Sequence, residues 1–243
     1  MSVQTSIAPA FAIQRAGERA YFDHGWLKTY HSFSFAEYRD PNNLHWGALR
    51  VFNDDVVDGG SGFPAHPHRD MEIVTYVLSG ELAHRDSMGN DGVVGSGGVQ
   101  FMSAGTGVTH SEFNNKSDEP LHLVQMWVLP GKVGGPPSYG QMVFTTEDRR
   151  NRWLRIVSGE DGVAAPIRIT QRATFGVARL EDAALDHAFA PKRYGFLFVA
   201  DGVVEVNGER LETGDAVRTY DVARLAAKGR GELVLWDLPG VAS

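Results

Sequence analysis

The chain has no cysteine among its 243 residues. That excludes disulfides, thiolate metal sites and a cysteine nucleophile, so any metal held here takes nitrogen and oxygen ligands. Runs of Lys and Arg are also missing, and the formal net charge is −7. A nucleic-acid surface is therefore not expected, because displacing counterions from phosphates needs a basic stripe. No segment approaches the roughly 18 consecutive apolar residues of a membrane span. The N-terminal stretch MSVQTSIAPAFAIQRAGERA lacks the basic start and apolar run of a secretory signal. A soluble cytoplasmic protein without direct nucleic-acid or membrane contact is expected. Helical periodicity is scarce as well, confined to the short pieces FSFAEYRD and TTEDRRN.

What the chain does have is 42 % hydrophobic residues, enough for one large core or two of modest size. Short apolar runs such as ALRVFND, EIVTYVL, VQFMSAG, LHLVQMWVL, GFLFVADG, VVEVNG and ELVLWDL alternate with Gly, Asn and Asp turns, the pattern of an all-β sandwich or barrel. The segment GKVGGPPSYG at 131–140 is too rich in Gly and Pro for regular structure and reads as a linker. It divides the chain into an N-terminal domain, 1–130, and a C-terminal domain, 141–243.

A faint internal repeat supports two similar β units. EIVTYVLSGELAH resembles GFLFVADGVVEVN, matching Gly80 with Gly202, and GSGGVQFMSAG resembles LETGDAVRTYD, matching Gly98 with Gly214. At those offsets His66 and His68 correspond to Ala188 and Ala190, and His110 and Glu112 to Ala226 and Lys228. The four polar residues are thus expected to serve a task of the first half alone.

On an extended strand, alternate side chains share a face. His66 and His68, flanking Pro67, therefore project together, and His110 and Glu112 repeat the spacing after the turn SAGTGVTH. Crowding imidazoles on one inward face suits a divalent metal, which accepts their lone pairs. Glu72 shares the parity of His66 and His68, so spacing leaves it as a competing carboxylate.

Gly60, five residues on to His66-Pro67-His68, and Glu72 after three more together resemble the first cupin motif; GTGVTHSEFN resembles the second, with Gly105 where many cupins have proline. More closely, FPAHPHRDMEIVTYVLSGELAHRDSMGN and MSAGTGVTHSEFN resemble the pirin family, and HGWLKTYHSFSFAEYRDP resembles its bacterial branch. The resemblance implies a bicupin fold, two β-barrels face to face, with one metal ion in the N-terminal barrel. The ligands it implies are His66, His68, His110 and Glu112. It implies quercetin 2,3-dioxygenase activity on a flavonol, and alternatively a redox-sensitive regulatory role toward a transcription regulator or a metabolic enzyme as protein partner.

A divalent ion on three imidazoles and one carboxylate carries a charge of about +1 and, if octahedral, keeps two open positions. Fe(II) is the expected ion, with Zn, Mn, Ni, Co and Cu as alternatives. An aromatic enolic substrate at such a centre would lose its hydroxyl proton, to Glu112 as general base, and become reactive toward dioxygen. His24, His31, His45, His84 and His187 are expected at the surface or in local bonds, and His122 in a core or supporting role. Phe52, Phe101 and Trp127 could line a pocket for a flat molecule, although aromatic residues on barrel strands commonly just pack.

Overall fold

A computed structural model of the chain describes residues 10–241. Strands β1 (Phe11–Gln14), β2 (Ala20–Asp23), β3 (Leu27–His31) and β4 (Leu49–Val57) come first. They are followed by β5 (Gly62–His68), β6 (Glu72–Ser79), β7 (Glu81–Asp86), β8 (Asp91–Gly95), β9 (Gly98–Ser103), β10 (Val108–Asn114), β11 (Leu121–Val128) and β12 (Ser138–Val143). After the short helix α1 (Thr146–Arg149) come β13 (Leu154–Ser158), β14 (Ile167–Arg168), β15 (Thr174–Ala188), β16 (Tyr194–Val206), β17 (Glu209–Glu212), β18 (Ala216–Tyr220) and β19 (Arg224–Leu238). TTEDRRN does form a helical turn, capped by the Thr145 hydroxyl accepting from the Asp148 amide at 3.3 Å. FSFAEYRD does not: Phe35 and Tyr38 exchange two backbone hydrogen bonds in a tight bridge instead. No helix among the described residues is long and apolar enough to cross a membrane.

The first barrel is a four-stranded sheet, β5-β10-β7-β8, closed against a seven-stranded one, β12-β9-β6-β11-β4-β3-β2. Alternation decides which side chains meet inside. Val77, Leu121 and Leu123 of the larger sheet pack with Leu82 and Val94 of the smaller one at one end; Ile73 and Met102 join Val108 at the other. The second barrel is built from a single eight-stranded sheet, whose strands β15, β16 and β19 are 13 to 15 residues long and wrap around a core of Leu180, Leu197, Val199, Leu211, Val217 and Leu233. The fold is all-β and bicupin, as expected.

The opposite parity on the large sheets forms the seam between the barrels. Phe52, Val74, Tyr76, Val124 and Met126 pack against Phe175, Phe196, Phe198, Val234 and Trp236 in one buried cluster. Polar ties cross it as well. Glu232, 4 % exposed, accepts from the Tyr76 hydroxyl and from Arg149 Nε at 2.8 Å, and the Trp236 indole donates to Met126 Sδ at 3.0 Å.

Two strands cross the bounds read from composition. β1 pairs with β18 and so completes the second barrel from the N-terminal end of the described chain. β12 begins at Ser138, inside the segment read as linker, and pairs with β9 of the first barrel from Ser138↔Ser103 to Val143↔Gly98. Residues 129–137 hold no regular structure, and an edge strand resumes before the Gly and Pro density ends.

The repeat is real in outline but slips by one residue. Gly80 and Gly202 both take left-handed backbone, φ 83° and 92°. The partner of Gly214 is Gly97, not Gly98: the Gly97 amide donates to Val77 and the Gly214 amide to Val199, each acceptor three residues before the matched hairpin glycine. Ladder registers equate Glu112 with Ala227, since they face His84 and Val206, each four residues after the matched hairpin glycine; His110 then corresponds to Leu225, and their partners His66 and His187 to one another. His68 corresponds to Phe189, whose amide bonds Ala223. A one-residue slip exchanges the two faces of a strand, so Ala188, Ala190, Ala226 and Lys228 are outward neighbours of the true counterparts. One imidazole survives in the second barrel, His187, and its Nε2 lies 2.9 Å from an Asp237 carboxylate oxygen.

Candidate metal centre

His66 and His68 lie on β5, and His110 and Glu112 on the neighbouring β10. His110 pairs directly with His66; β5 carries one extra residue between Phe63 and His66, while β10 stays in unbroken register with β7. The three imidazoles converge: ring centroids lie 4.5 Å apart for His66 and His110, 4.8 Å for His66 and His68, and 4.9 Å for His68 and His110. One nitrogen from each falls within 4.8 Å of the others.

The protonation pattern suits ligation. His66 Nδ1 lies 2.8 Å from the Pro64 carbonyl, which can only accept, so Nδ1 carries the proton and Nε2 offers a lone pair. Burial, reinforced by His110 and His66, lowers the His68 pKa to about 4. Burial, then His66 and His84, lowers that of His110 to about 3. Both rings are therefore neutral near pH 7. Two nitrogen ligands about 2.1 Å from one ion and at right angles stand about 3 Å apart; His66 Nε2 and His110 Nε2 are 3.1 Å apart. The donor set and its spacing fit a divalent first-row ion.

Glu112 is 3 % exposed. Its Oε1 accepts from Gln100 Nε2 at 2.5 Å and its Oε2 from Gln125 Nε2 at 2.8 Å. Trp127 stands edge-on to His68, centroids 4.8 Å apart and planes at 88°. His66 and His68 are only half-buried, and a surface crevice lined by Pro67, His68, Arg69, Ser87 and Thr109 reaches the cluster from outside.

Glu72, the competing carboxylate, lies elsewhere. It is fully buried and accepts from the backbone amide and hydroxyl of Thr170 at 2.8 and 2.5 Å, tying the first barrel to the second half. The parity shared with His66 does not survive the turn after β5, where Asp70 takes left-handed backbone at φ 47°. β6 therefore sends Ile73 into the barrel and Val74 into the inter-barrel seam with Tyr76, and Glu72 shares their outward parity. It does not orient an imidazole.

Among the other residues weighed from sequence, His122 bonds Asp54 Oδ1 at 2.7 Å, with Arg19 on the other oxygen at 3.0 Å. Phe52 and Phe101 belong to the seam, so of the three aromatics only Trp127 borders the cluster. His45 and His187 make local bonds to Gly47 O and Asp237, and His24 stacks near Phe22. His31 is buried in the first barrel, and burial lowers its pKa to about 4. His84 is the residue sequence reasoning misplaced. Only 3 % exposed, it stacks on Tyr139 at 4.2 Å, lies 5.3 Å from His110 and bonds Asp86 at 3.2 Å; with His110 and Glu112 it forms a second trio close enough to hold an ion. The alternation of Leu82, His84 and Asp86 on β7 carried that signal.

Residues 13–128 match the family Pirin, and residues 155–238 match the quercetinase C-terminal cupin domain. The chain is 45 % identical over 219 residues to a pirin-like protein of Caulobacter vibrioides, covering 88 % of this chain and 94 % of the relative. It is 41 % identical over 232 residues to a quercetin 2,3-dioxygenase of Escherichia coli K12, covering 94 % and 99 %. The crystal structure of the bacterial pirin YhhW of Escherichia coli in complex with nickel(II) superposes with a TM-score of 0.87 at 39 % identity, covering 95 % of this chain and all of that one, 100 %. With a bicupin fold, a histidine and glutamate cluster in the first barrel and relatives matched along nearly their whole length, this chain belongs to the pirin family.

Proposed function

We propose that the protein is a metal-dependent dioxygenase that cleaves a flavonol such as quercetin, with one divalent ion, Fe(II) in the cell, on His66, His68, His110 and Glu112. The observation that carries this reading is the convergence of His66, His68 and His110, with the buried Glu112 grouped with His110 beside them, reached from solvent through the crevice at His68. A relative 41 % identical bears the name quercetin 2,3-dioxygenase. When bound, the ion supplies Lewis acidity toward an enolic oxygen and a redox centre for dioxygen chemistry.

The chain's own residues do the rest. His66, oriented by its bond to the Pro64 carbonyl, and the neutral His68 and His110 present lone pairs without competing protons. Glu112 keeps a free lone pair on each oxygen beyond those taken by Gln100 and Gln125, so it can accept the substrate's hydroxyl proton as the enolate forms. The Trp127 edge beside His68 offers an apolar wall for a flat ring. Water is limited by the apolar residues Ile73, Met102 and Val108 packed at this end of the barrel.

The test is dioxygen uptake by metal-replete protein given quercetin. Uptake in step with substrate loss over many turnovers, abolished by chelator and restored by Fe(II), is expected. No uptake with several flavonols, together with partner binding in only one oxidation state of the metal, would replace this reading with the regulatory one.

A further inference from the structure

One rung of the large sheet in the first barrel is polar on each strand from β3 across to β9, whereas the rungs beside it are apolar at their centre. Register places His31 opposite Asn53, Asn53 opposite Gln125, Gln125 opposite Thr75 and Thr75 opposite Gln100, across β3, β4, β11, β6 and β9. The inward rungs on either side hold Leu123 with Val77, and Ile73 with Met102. Each buried amide left without a partner costs about 1–3 kcal/mol, so packing alone would favour an apolar rung here. The two glutamines are instead spent on one carboxylate, Gln100 on Oε1 and Gln125 on Oε2 of Glu112.

Which end of the Gln125 amide faces the carboxylate follows from its neighbours. Glu112 as a carboxylate can only accept, and the Trp127 indole can only donate. Trp127 Nε1 meets Gln125 Oε1 at 3.2 Å while Gln125 Nε2 meets Glu112, so both demands are met by one amide orientation and the flipped one violates both. The same Trp127 ring packs its edge on His68, linking the two sides of the cluster.

We propose that Gln100 and Gln125 are positioning residues that clamp Glu112 from both oxygens, with the Trp127 N–H locking the Gln125 amide, so that the carboxylate meets the metal in one fixed orientation. This deepens the proposed function and rests on its reading of Glu112 as a ligand. Residues supporting a metal ligand are typically worth about 10- to 100-fold in metal affinity, and that is the loss expected for Gln125→Met and for Gln100→Met. Trp127→Phe keeps an aromatic ring beside His68 and removes the N–H together with part of the indole, leaving both glutamines in place, so a smaller loss in the same direction is expected.

Co(II) is the probe. The metal-free protein and each variant are titrated with Co(II), following the d–d absorption, and thermal unfolding of each metal-free variant is recorded alongside. The clamp predicts an altered d–d envelope and weaker Co(II) binding in both methionine variants, and a smaller shift of the same kind in Trp127→Phe, which is conservative enough to fold. A wild-type envelope and affinity in Gln125→Met and Trp127→Phe, with Glu112→Gln clearly altered, would overturn the clamp and leave Glu112 as ligand. An unchanged envelope in Glu112→Gln itself would overturn the ligand reading and the clamp with it.

Discussion

Glu72 and Glu112 are both almost wholly buried, yet their surroundings assign them opposite consequences. Glu112 stands beside the imidazole cluster and Glu72 beside Thr170. Glu112→Gln is expected to weaken metal binding and to cut turnover severely even at saturating metal, because the shape is kept while charge and basicity are lost. Glu72→Gln is expected to leave metal content and turnover near wild type and to lower stability by about 1–3 kcal/mol, the cost of a disturbed buried hydrogen-bond site. Metal content, turnover and denaturant unfolding of the two variants check this; metal loss in Glu72→Gln with normal catalysis in Glu112→Gln would reverse the assignment. The pairs His66/His68 and His110/Glu112 are legible in the sequence because each lies within one strand, where alternation alone sets the face. Glu72 lies beyond a left-handed turn at Asp70, and alternation cannot be counted through a turn. His84, Gln100 and Gln125 escape sequence reading for a related reason: their roles come from contacts between strands distant in the chain.

At the scale of strands and sheets, the apolar runs, the hairpin glycines and the break after the first half are all readable in advance. Register is not, because a one-residue difference in connections shifts every inward position, as the counterparts His187, Phe189, Leu225 and Ala227 show. Nor does local composition reveal that β1 and β12 are edge strands, since which sheet an edge strand joins depends on the assembled barrel. The seam depends on the parity opposite to the site. Phe52 is fully buried between Phe196 and Phe198, with centroids 4.7 and 4.9 Å away. Phe52→Ala is expected to destabilise the protein by about 3–5 kcal/mol while the variant, where folded, binds metal as wild type does. Denaturant unfolding and metal analysis check the pair of outcomes, and a lost metal ion with unchanged stability would contradict the division between seam and site.

The whole molecule should carry its site as a dependence of stability on pH. His31, His68 and His110 have pKa values lowered to about 4, 4 and 3, so between these values and about 6.5 the unfolded chain binds protons that the folded chain does not. Stability therefore rises with pH across this window and is lost as pH falls below about 6.5. Asp55 opposes this. Burial raises its pKa to about 7, so from about 3.9 to 7 the folded state holds a proton the unfolded state has released. Burial raises the Glu72 carboxyl in the same direction. With three histidines against these two carboxyls, metal-free protein is expected to unfold at lower denaturant at pH 5 than at pH 6.5, and Asp55→Asn should steepen the difference. An unfolding midpoint that is higher at pH 5 would contradict the buried, neutral imidazoles. The central claim is a single ion in the first barrel, and elemental analysis of purified protein tests it most directly. The account predicts one metal equivalent per chain and none in the double variant His66→Ala with His110→Ala; two equivalents per chain, or metal retained by the double variant, would contradict it.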